Sequence, residues 1–308
     1  MNEDVVVIGN GKHSKRIQKI LKNKKYKIKI FTPKNKSRLT KQEIYQLKQY
    51  KILFIITPND SHYQYISNIN DSKRYIFCEK PPTNNISQLK KIKSIKLKKK
   101  IYFNFNYRFS ELANTLTNKS YIDIKQLTYS NISVSHNFAL KDEYKINWRS
   151  KKSKCPHGIK EMVTVHWIDL FNYIFGVKKI LSSTGRNIAK NGGNNDTTNI
   201  QLETNNNAIV DIFNSYSSSL TFNITFIFKD RHLECNGNEI NIYKTLLKSS
   251  SKKNTTHSKL IKKIKIRKSL SSLEKSIDFF LDKVNKNKNF SNRLFNFSIK
   301  SNELLFSN

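Results

Sequence analysis

The chain has 308 residues, enough for two domains of ordinary size, and its apolar residues (37%) recur in short periodic runs that speak for packed cores and against disorder. A formal charge of +35 points first to a polyanion partner. The lysines are spread over unrelated segments, however, as AT-rich codons would spread them. No helix-turn-helix, zinc-finger or RNP-type pattern is present either, so a specific nucleic-acid partner is not expected.

Val5 to Ile8 is an unbroken β-branched run, as a strand buried on both faces requires. A glycine-containing turn follows, then an amphipathic helix with Ile17, Ile20 and Leu21 on one face. Next come a strand over 26–31, a helix over 40–49, a buried strand over 52–57 and a helix from about Ser61. A short strand at 75–78, a helix over 86–96 and a strand over 101–106 complete this part. Strands alternating with helices predict right-handed crossovers and a parallel sheet.

Beyond Arg108 the texture changes. Residues 122–136 alternate apolar and polar positions, one helix covers 160–175, and strand-like runs lie at 198–203, 208–213, 219–228 and 231–235. That pattern predicts an antiparallel sheet with one open face. Helices close the chain at 273–284 and near 292–305, and the polar stretch 248–259 reads as a surface loop. Cys78, Cys155 and Cys235 stand far apart without a CxxC pair, which suits a reducing compartment and neither a disulfide framework nor a metal site. No basic leader is seen and no apolar run is long enough to cross a bilayer, so a cytoplasmic location without membrane insertion is expected.

Gly9-Asn10-Gly11-Lys12-His13-Ser14 falls between the first strand and the first helix. Glycines there let the backbone turn tightly and approach a pyrophosphate at the helix N-terminus, and a small residue such as Ser14 in the third glycine position still allows close packing. Only 8 glycines exist in the chain, so two at this turn are unlikely to be idle. An acid about 20 residues on would hold the ribose of NAD. Instead the second strand ends at Thr32-Pro33-Lys34, with Lys36 and Arg38 behind it, a pattern that leans toward the 2′-phosphate of NADP over NAD. Two further motifs, Thr57-Pro58-Asn59-Asp60-Ser61-His62 and Glu79-Lys80-Pro81-Pro82, also stand at strand ends, where open α/β sheets bind their ligands. A partly desolvated lysine at such a place can have its pKa lowered toward the range useful for proton transfer.

These motifs continue in order through Asn106-Tyr107-Arg108-Phe109, Trp148-Arg149, and Gly158 followed by Val165-His166-Trp167-Ile168-Asp169-Leu170. The whole series resembles the Gfo/Idh/MocA oxidoreductases over nearly the full chain. The resemblance implies an α/β fold with an N-terminal Rossmann NAD(P)-binding domain (1–112). A substrate-binding and oligomerisation α+β domain (113–308) with a large, mostly antiparallel open sheet follows it. It implies a cofactor of NAD or NADP held by Gly9, Gly11, Lys12, His13 and Ser14, by Thr32, by Thr57, Pro58, Asn59 and His62, and by Glu79 and Lys80. It further implies that Lys80 and His166 face the carbon that exchanges hydride with the nicotinamide. His166 then takes the hydroxyl proton and Lys80 orients the oxygen and stabilises charge on it. Asn106, Arg108, Trp148, Arg149 and position 162 complete the substrate contacts.

At that last position the chain departs from the family, which has an aspartate four residues before the histidine; here it is Met162, and Thr164 replaces a usual glycine. Glu161 lies five residues before His166, about 140° away around an ideal helix, so it substitutes only if a one-residue π-bulge brings it round. Without such a bulge the site uses another partner, such as Lys160 or His157, or turnover is impaired. Two functions are therefore expected in competition. One is a dehydrogenase or reductase acting on a sugar, cyclitol or nucleotide sugar. The other is a catalytically impaired binding or regulatory protein on the same fold. A homodimer or homotetramer through the open sheet follows from the resemblance alone.

Overall fold

The computed structural model describes residues 5–33, 39–246, 257–266 and 270–307. Lys34, Lys36 and Arg38, on which the preference for NADP was based, lie outside the described residues, as does most of the polar stretch 248–259. The chain divides into two compact units: 1–106 with 153–156 and 273–306, and 107–152 with 157–272 and 307–308.

In the first unit β1 (Val5–Ile8), β2 (Ile28–Phe31), β3 (Ile52–Ile55), β4 (Tyr75–Glu79) and β5 (Ile101–Asn104) form a parallel sheet in the order β2-β1-β3-β4-β5. Its central strands are buried on both faces, which is why they read as continuous apolar runs. The helices α1 (Lys12–Asn23), α2 (Lys41–Leu47), α3 (His62–Ile69) and α4 (Ile86–Lys93) supply the crossovers. Thr40 caps α2 by accepting from the Glu43 amide at 3.1 Å, while the Glu43 carboxylate accepts from the Thr40 amide at 2.8 Å. Strand order reverses between β1 and β3, so the loops after those strands flank the crevice where open sheets take ligands.

In the second unit α5 (Glu111–Thr117) precedes β6 (Leu127–Ser135), then α6 (Asp142–Ile146), a π-helical turn (Lys160–Thr164) and α7 (Val165–Ile174). The strands β7 (Val177–Arg186), β8 (Thr197–Thr204), β9 (Ile209–Ser215), β10 (Thr221–Phe228), β11 (Arg231–Cys235), β12 (Glu239–Leu246) and β13 (His257–Lys265) follow. The eight-stranded sheet runs β13-β12-β11-β10-β6-β9-β8-β7 and is antiparallel except between β6 and β9. Ile132, Ile212 and Ile224 lie abreast in register and are buried, while their strand neighbours Asn131, Asp211 and Thr225 point to the other face. On the buried side Phe171 of α7 stacks on Phe226, with ring centroids 5.5 Å apart.

Two sequence expectations are corrected here. The first is the chain boundary after 112. The helices α8 (Leu270–Asn285) and α9 (Asn292–Phe306) pack on the first sheet, within the first unit. The fully buried Phe280 lies 5.3 Å from both Phe54 and Phe77, themselves stacked at 4.6 Å, and 5.6 Å from Phe290. The sheet's apolar face needs a cover; here the cover comes from residues some 170 positions beyond the last strand. The second correction concerns β7, β12 and β13, which had no counterpart in the expected strands; residues 257–259 begin β13 and are not loop. β7 and β13 are edge strands and mostly exposed, so no apolar alternation marks them. In β12 the buried Ile240 and Ile242 alternate with less buried neighbours.

Phe280→Ala is expected to destabilise the first unit by about 3–5 kcal/mol. Urea unfolding should show this, and a change below about 1 kcal/mol would place α8 outside that core.

Candidate active site

Gly9 follows β1 with φ +106, and a Cβ there would run into the Ile56 carbonyl after β3. Only glycine allows the two loops to come that close. Ser14 turns its hydroxyl back onto the Gly9 carbonyl at 2.7 Å and accepts from Gln18 at 3.0 Å, so it closes the turn and is buried. Gly11 is different. It is the N-cap of α1 with ordinary extended dihedrals (φ −77, ψ 176), and a Cβ there would meet nothing within 4 Å. No side chain caps the helix and no acid stands in its first turn. Backbone amides at a positive helix end are the donor set that a diphosphate requires. Lys12 is exposed beside it, and Thr32 is exposed just beyond β2.

The loop after β3 is stitched internally: the Ser61 hydroxyl donates to Thr57 Oγ1 at 2.7 Å. Pro58 is exposed and Asn59 buried. His62, expected to touch cofactor, is instead fully buried. Its Nδ1 lies 2.8 Å from the Pro81 carbonyl and its Nε2 3.0 Å from the Thr57 carbonyl, so it ties the β3 loop to the β4 loop. Burial lowers its pKa against opposing bonds from Pro81 and Thr57. At the end of β4, Glu79 Oε1 receives His13 Nε2 at 2.9 Å and Asn104 Nδ2 at 2.6 Å. Burial acts to raise the Glu79 carboxyl, but the His13 charge, the bonds from His13 and Asn104, and the Lys80 charge together hold it below its usual value. Lys80, next in the chain, is itself buried.

In the second unit the Val165 amide donates to the Lys160 carbonyl, five residues back, so the helix carries one extra residue in its first turn. Glu161 thereby stands to His166 much as a residue four back stands in a regular α-helix. The bulge on which the sequence expectation depended is present. Glu161 is fully buried and accepts from the His157 amide at 3.3 Å. Met162, expected at the substrate, packs instead against the apolar cluster of Ala139, Tyr144, Ile159 and Tyr216. Thr164 donates to Asn214 Oδ1 on β9 at 2.7 Å, which pins the turn to the sheet. Burial pulls Lys160 down to about 8, and its Nζ donates to the Ser307 carbonyl at 2.9 Å.

His166 is half-buried and stacks on Tyr107, with centroids 4.4 Å apart and planes 18° from parallel. Burial pushes the Tyr107 phenol up to about 12, so the ring under His166 is neutral at physiological pH. Arg108 is another correction. Its Nε and Nη2 meet the Asp169 oxygens at 2.8 and 2.5 Å, with side-chain exposures of 2% and 0%, so two of its three nitrogens are engaged within the fold. Asn106 is half-buried at the end of the first unit's first segment. Trp148 and Arg149 are half-buried, with the guanidinium 4.8 Å over the indole. Tyr107, Asp169, Asn104, Asn214 and Ser276 were not singled out by sequence. Tyr107 and Asp169 stood inside recognised motifs, whereas nothing local marks Asn104, Asn214 or Ser276.

A glycine turn at the switch point of a parallel sheet, followed by a unit built on a large mixed sheet, defines a Rossmann-type oxidoreductase architecture. Two family models match accordingly: the oxidoreductase family with NAD-binding Rossmann fold over residues 11–107, and the GFO/IDH/MocA C-terminal domain over 127–239. The chain belongs to the GFO/IDH/MocA oxidoreductase family. No curated protein matches its sequence. Among solved structures it resembles levoglucosan dehydrogenase in complex with NADH and levoglucosan (14% identity, TM-score 0.76, 99% of this chain and 95% of that one). It also resembles UDP-N-acetylglucosamine 3-dehydrogenase from Acidithiobacillus ferrooxidans (13%, 0.72, 99% and 95%). An oxidoreductase from Thermotoga maritima is a third (16%, 0.75, 99% and 95%). At such identities the likeness concerns the fold. Among the described residues no helix is long and apolar enough to cross a membrane.

Gly11→Ala should fold with unchanged stability, because its backbone is ordinary and its Cβ meets no protein atom. It should weaken dinucleotide binding at least about tenfold, since a methyl group intrudes where backbone must approach a phosphate; calorimetry reads both. Asp169→Ala, by contrast, should cost about 3–5 kcal/mol in urea unfolding, because it strands a buried guanidinium.

Proposed function

We propose that the protein is an NAD(P)-dependent dehydrogenase or reductase acting on a hydroxyl or keto carbon of a sugar, cyclitol or nucleotide sugar. The observation that supports this reading is the π-turn over 160–164, within which the fully buried Glu161 stands five residues before His166 and accepts from the His157 amide. In the oxidative direction His166 takes the hydroxyl proton, and its ring plane is held for that task by Tyr107. Glu161 supports the imidazolium that results and accepts from substrate hydroxyls. Lys80 orients the reacting oxygen and stabilises negative charge on it. The nicotinamide, when bound, accepts or returns the hydride. Glu79 and His13 lie at the diphosphate end of α1, where Gly11 leaves room for the cofactor.

Two of the structural relatives are named as dehydrogenases of a carbohydrate or a nucleotide sugar, which supports the same substrate class here. For the cofactor, the exposed Thr32 suits a ribose hydroxyl or its 2′-phosphate, and the preference for NADP stays part of the proposal. Pairing of copies through the polar sheet face of Asn131, Asp211 and Thr225 is likewise proposed. The rival reading, a catalytically impaired binding protein, was motivated by Met162; the position of Glu161 weighs against it.

The test is a panel of sugars, cyclitols and nucleotide sugars followed at the reduced-nicotinamide absorbance. His166→Ala should lower kcat by about 100-fold or more while cofactor Kd changes less than about twofold. Full turnover in that variant would remove His166 from its role. No substrate across the panel, with cofactor still bound, would favour the rival. Glu161→Gln should raise KM and lower kcat together by about tenfold or more, since it removes charge from both substrate and base.

A further inference from the structure

One loop of the second unit takes no part in the chemistry above. It joins β7 to β8 over residues 187–196, and its last residue, Asp196, is fully buried. The donors to this carboxylate are neutral groups. Oδ1 accepts from the Ile188 amide at 3.0 Å, the Thr197 hydroxyl at 2.9 Å and the Ser217 hydroxyl at 3.2 Å. Oδ2 accepts from the Ala189 amide at 2.8 Å. A carboxylate taken out of water needs such a set of donors. Two of the four are amides from the start of the loop, so the end of the loop clasps its beginning. The clasp is tied to the sheet as well: the Asp196 amide donates to the Arg186 carbonyl at 3.0 Å, and its carbonyl accepts from the Tyr216 amide at 2.7 Å.

Closed in this way, the loop directs its other polar groups at two neighbouring segments. Asn191 Nδ2 donates to the Ala139 and Lys141 carbonyls at 3.0 and 3.3 Å. The Gly193 amide donates to the Ser150 carbonyl at 3.0 Å, and Asn194 Nδ2 to the Arg149 carbonyl at 2.9 Å. In the other direction the Asn195 carbonyl accepts from the Ile159 amide at 3.0 Å. Gly158 stands just before it with φ +55, and a Cβ there would run into that same carbonyl. The first segment carries Trp148 and Arg149, and the second leads through His157 to Glu161. Both are short irregular turns, a 3-10 turn over 148–150 and the π-turn over 160–164. Turns of these kinds have poorer internal hydrogen bonds than an α-helix and lean on bonds from outside.

We propose that Asp196 is a positioning residue of the substrate site. By closing the loop it fixes the Asn195 carbonyl and the Asn194 side chain, and through them the spacing between the Arg149 backbone and the turn that holds Glu161. The proposal rests on the reading given above, in which these two segments face the substrate. The dinucleotide turn belongs to the first unit and receives nothing from Asp196. Asp196→Asn is the discriminating change, because it keeps the shape and removes one acceptor. The Thr197 and Ser217 hydroxyls can reverse and accept, but the two loop amides cannot. Whichever way the new side chain turns, its amino group faces the amide of Ile188 or of Ala189, and one half of the clasp is lost.

The experiment compares the full-length wild type, Asp196→Asn and Asn194→Ala in three measurements. These are steady-state kinetics on the best substrate of the panel, calorimetry with NAD+, and amide hydrogen exchange. For Asp196→Asn the expectation is a KM for substrate raised about tenfold or more, with a smaller fall in kcat. Dinucleotide Kd should stay within about twofold of wild type. Exchange should quicken in 139–150 and 157–165 and stay unchanged in the strands of the first sheet. Asn194→Ala, which removes the bond to Arg149, should raise KM by a smaller factor. A wild-type KM in Asp196→Asn overturns the proposal. So does faster exchange without a change in KM, which would leave Asp196 a purely structural residue, and so does a loss of dinucleotide affinity in step with KM, the mark of general loosening. Should Asp196→Asn not fold, Asn194→Ala decides by the same criteria. Absence of wild-type turnover on every substrate would count instead against the dehydrogenase reading, and the exchange data would still report whether Asp196 holds the two segments.

Discussion

One displaced hydrogen bond organises the second unit: the amide of Val165 reaches past the usual acceptor to the carbonyl of Lys160. A π-turn aligns its peptides less well than an α-helix does, so something outside the helix must hold it. Thr164 does so by donating to Asn214, whose own amide donates to the Val134 carbonyl at 3.2 Å. With the extra residue in place Glu161 is fully buried and Met162 packs against an apolar cluster. The two departures from the family pattern, a methionine for an aspartate and a threonine for a glycine, are thus parts of one local solution. The threonine braces the turn by its bond to Asn214.

The two units each hold a carboxylate against a basic side chain. Arg108 and Asp169 form a fork almost wholly removed from solvent, and an arginine cannot surrender its proton, so the pair is a fixed strut beneath α7. His13 and Glu79 meet at a more open place, with side-chain exposures of 38% and 11%.

The parallel sheet was legible because each central strand is apolar on both sides and each ends in a glycine or proline motif. The second sheet was read correctly where one face alternates, as in β6, β8, β9 and β10. It was missed at its edges, where β7 and β13 expose most residues and owe their strand form to pairing with neighbours. Of the site, Gly9, Lys80 and His166 were marked by short motifs. His62 and Arg108 were marked equally well, and the structure uses them to tie loops and elements together. A motif records that a position is constrained; it does not say whether a ligand or the fold constrains it.

By itself the sequence determined the local decisions: a strand, a glycine turn and a helix at the N-terminus, and the order in which the chemically useful residues appear. These depend on neighbours within a few positions, through dihedral freedom and hydrophobic period. Only the tertiary structure decided that α8 covers the first sheet, that Glu79 faces His13, that Arg108 is consumed by Asp169, and that the helix before His166 winds with one residue to spare. Each of those outcomes is a competition between burial and pairing among residues far apart in the chain, and its winner is set by which partner the fold brings within a few ångströms.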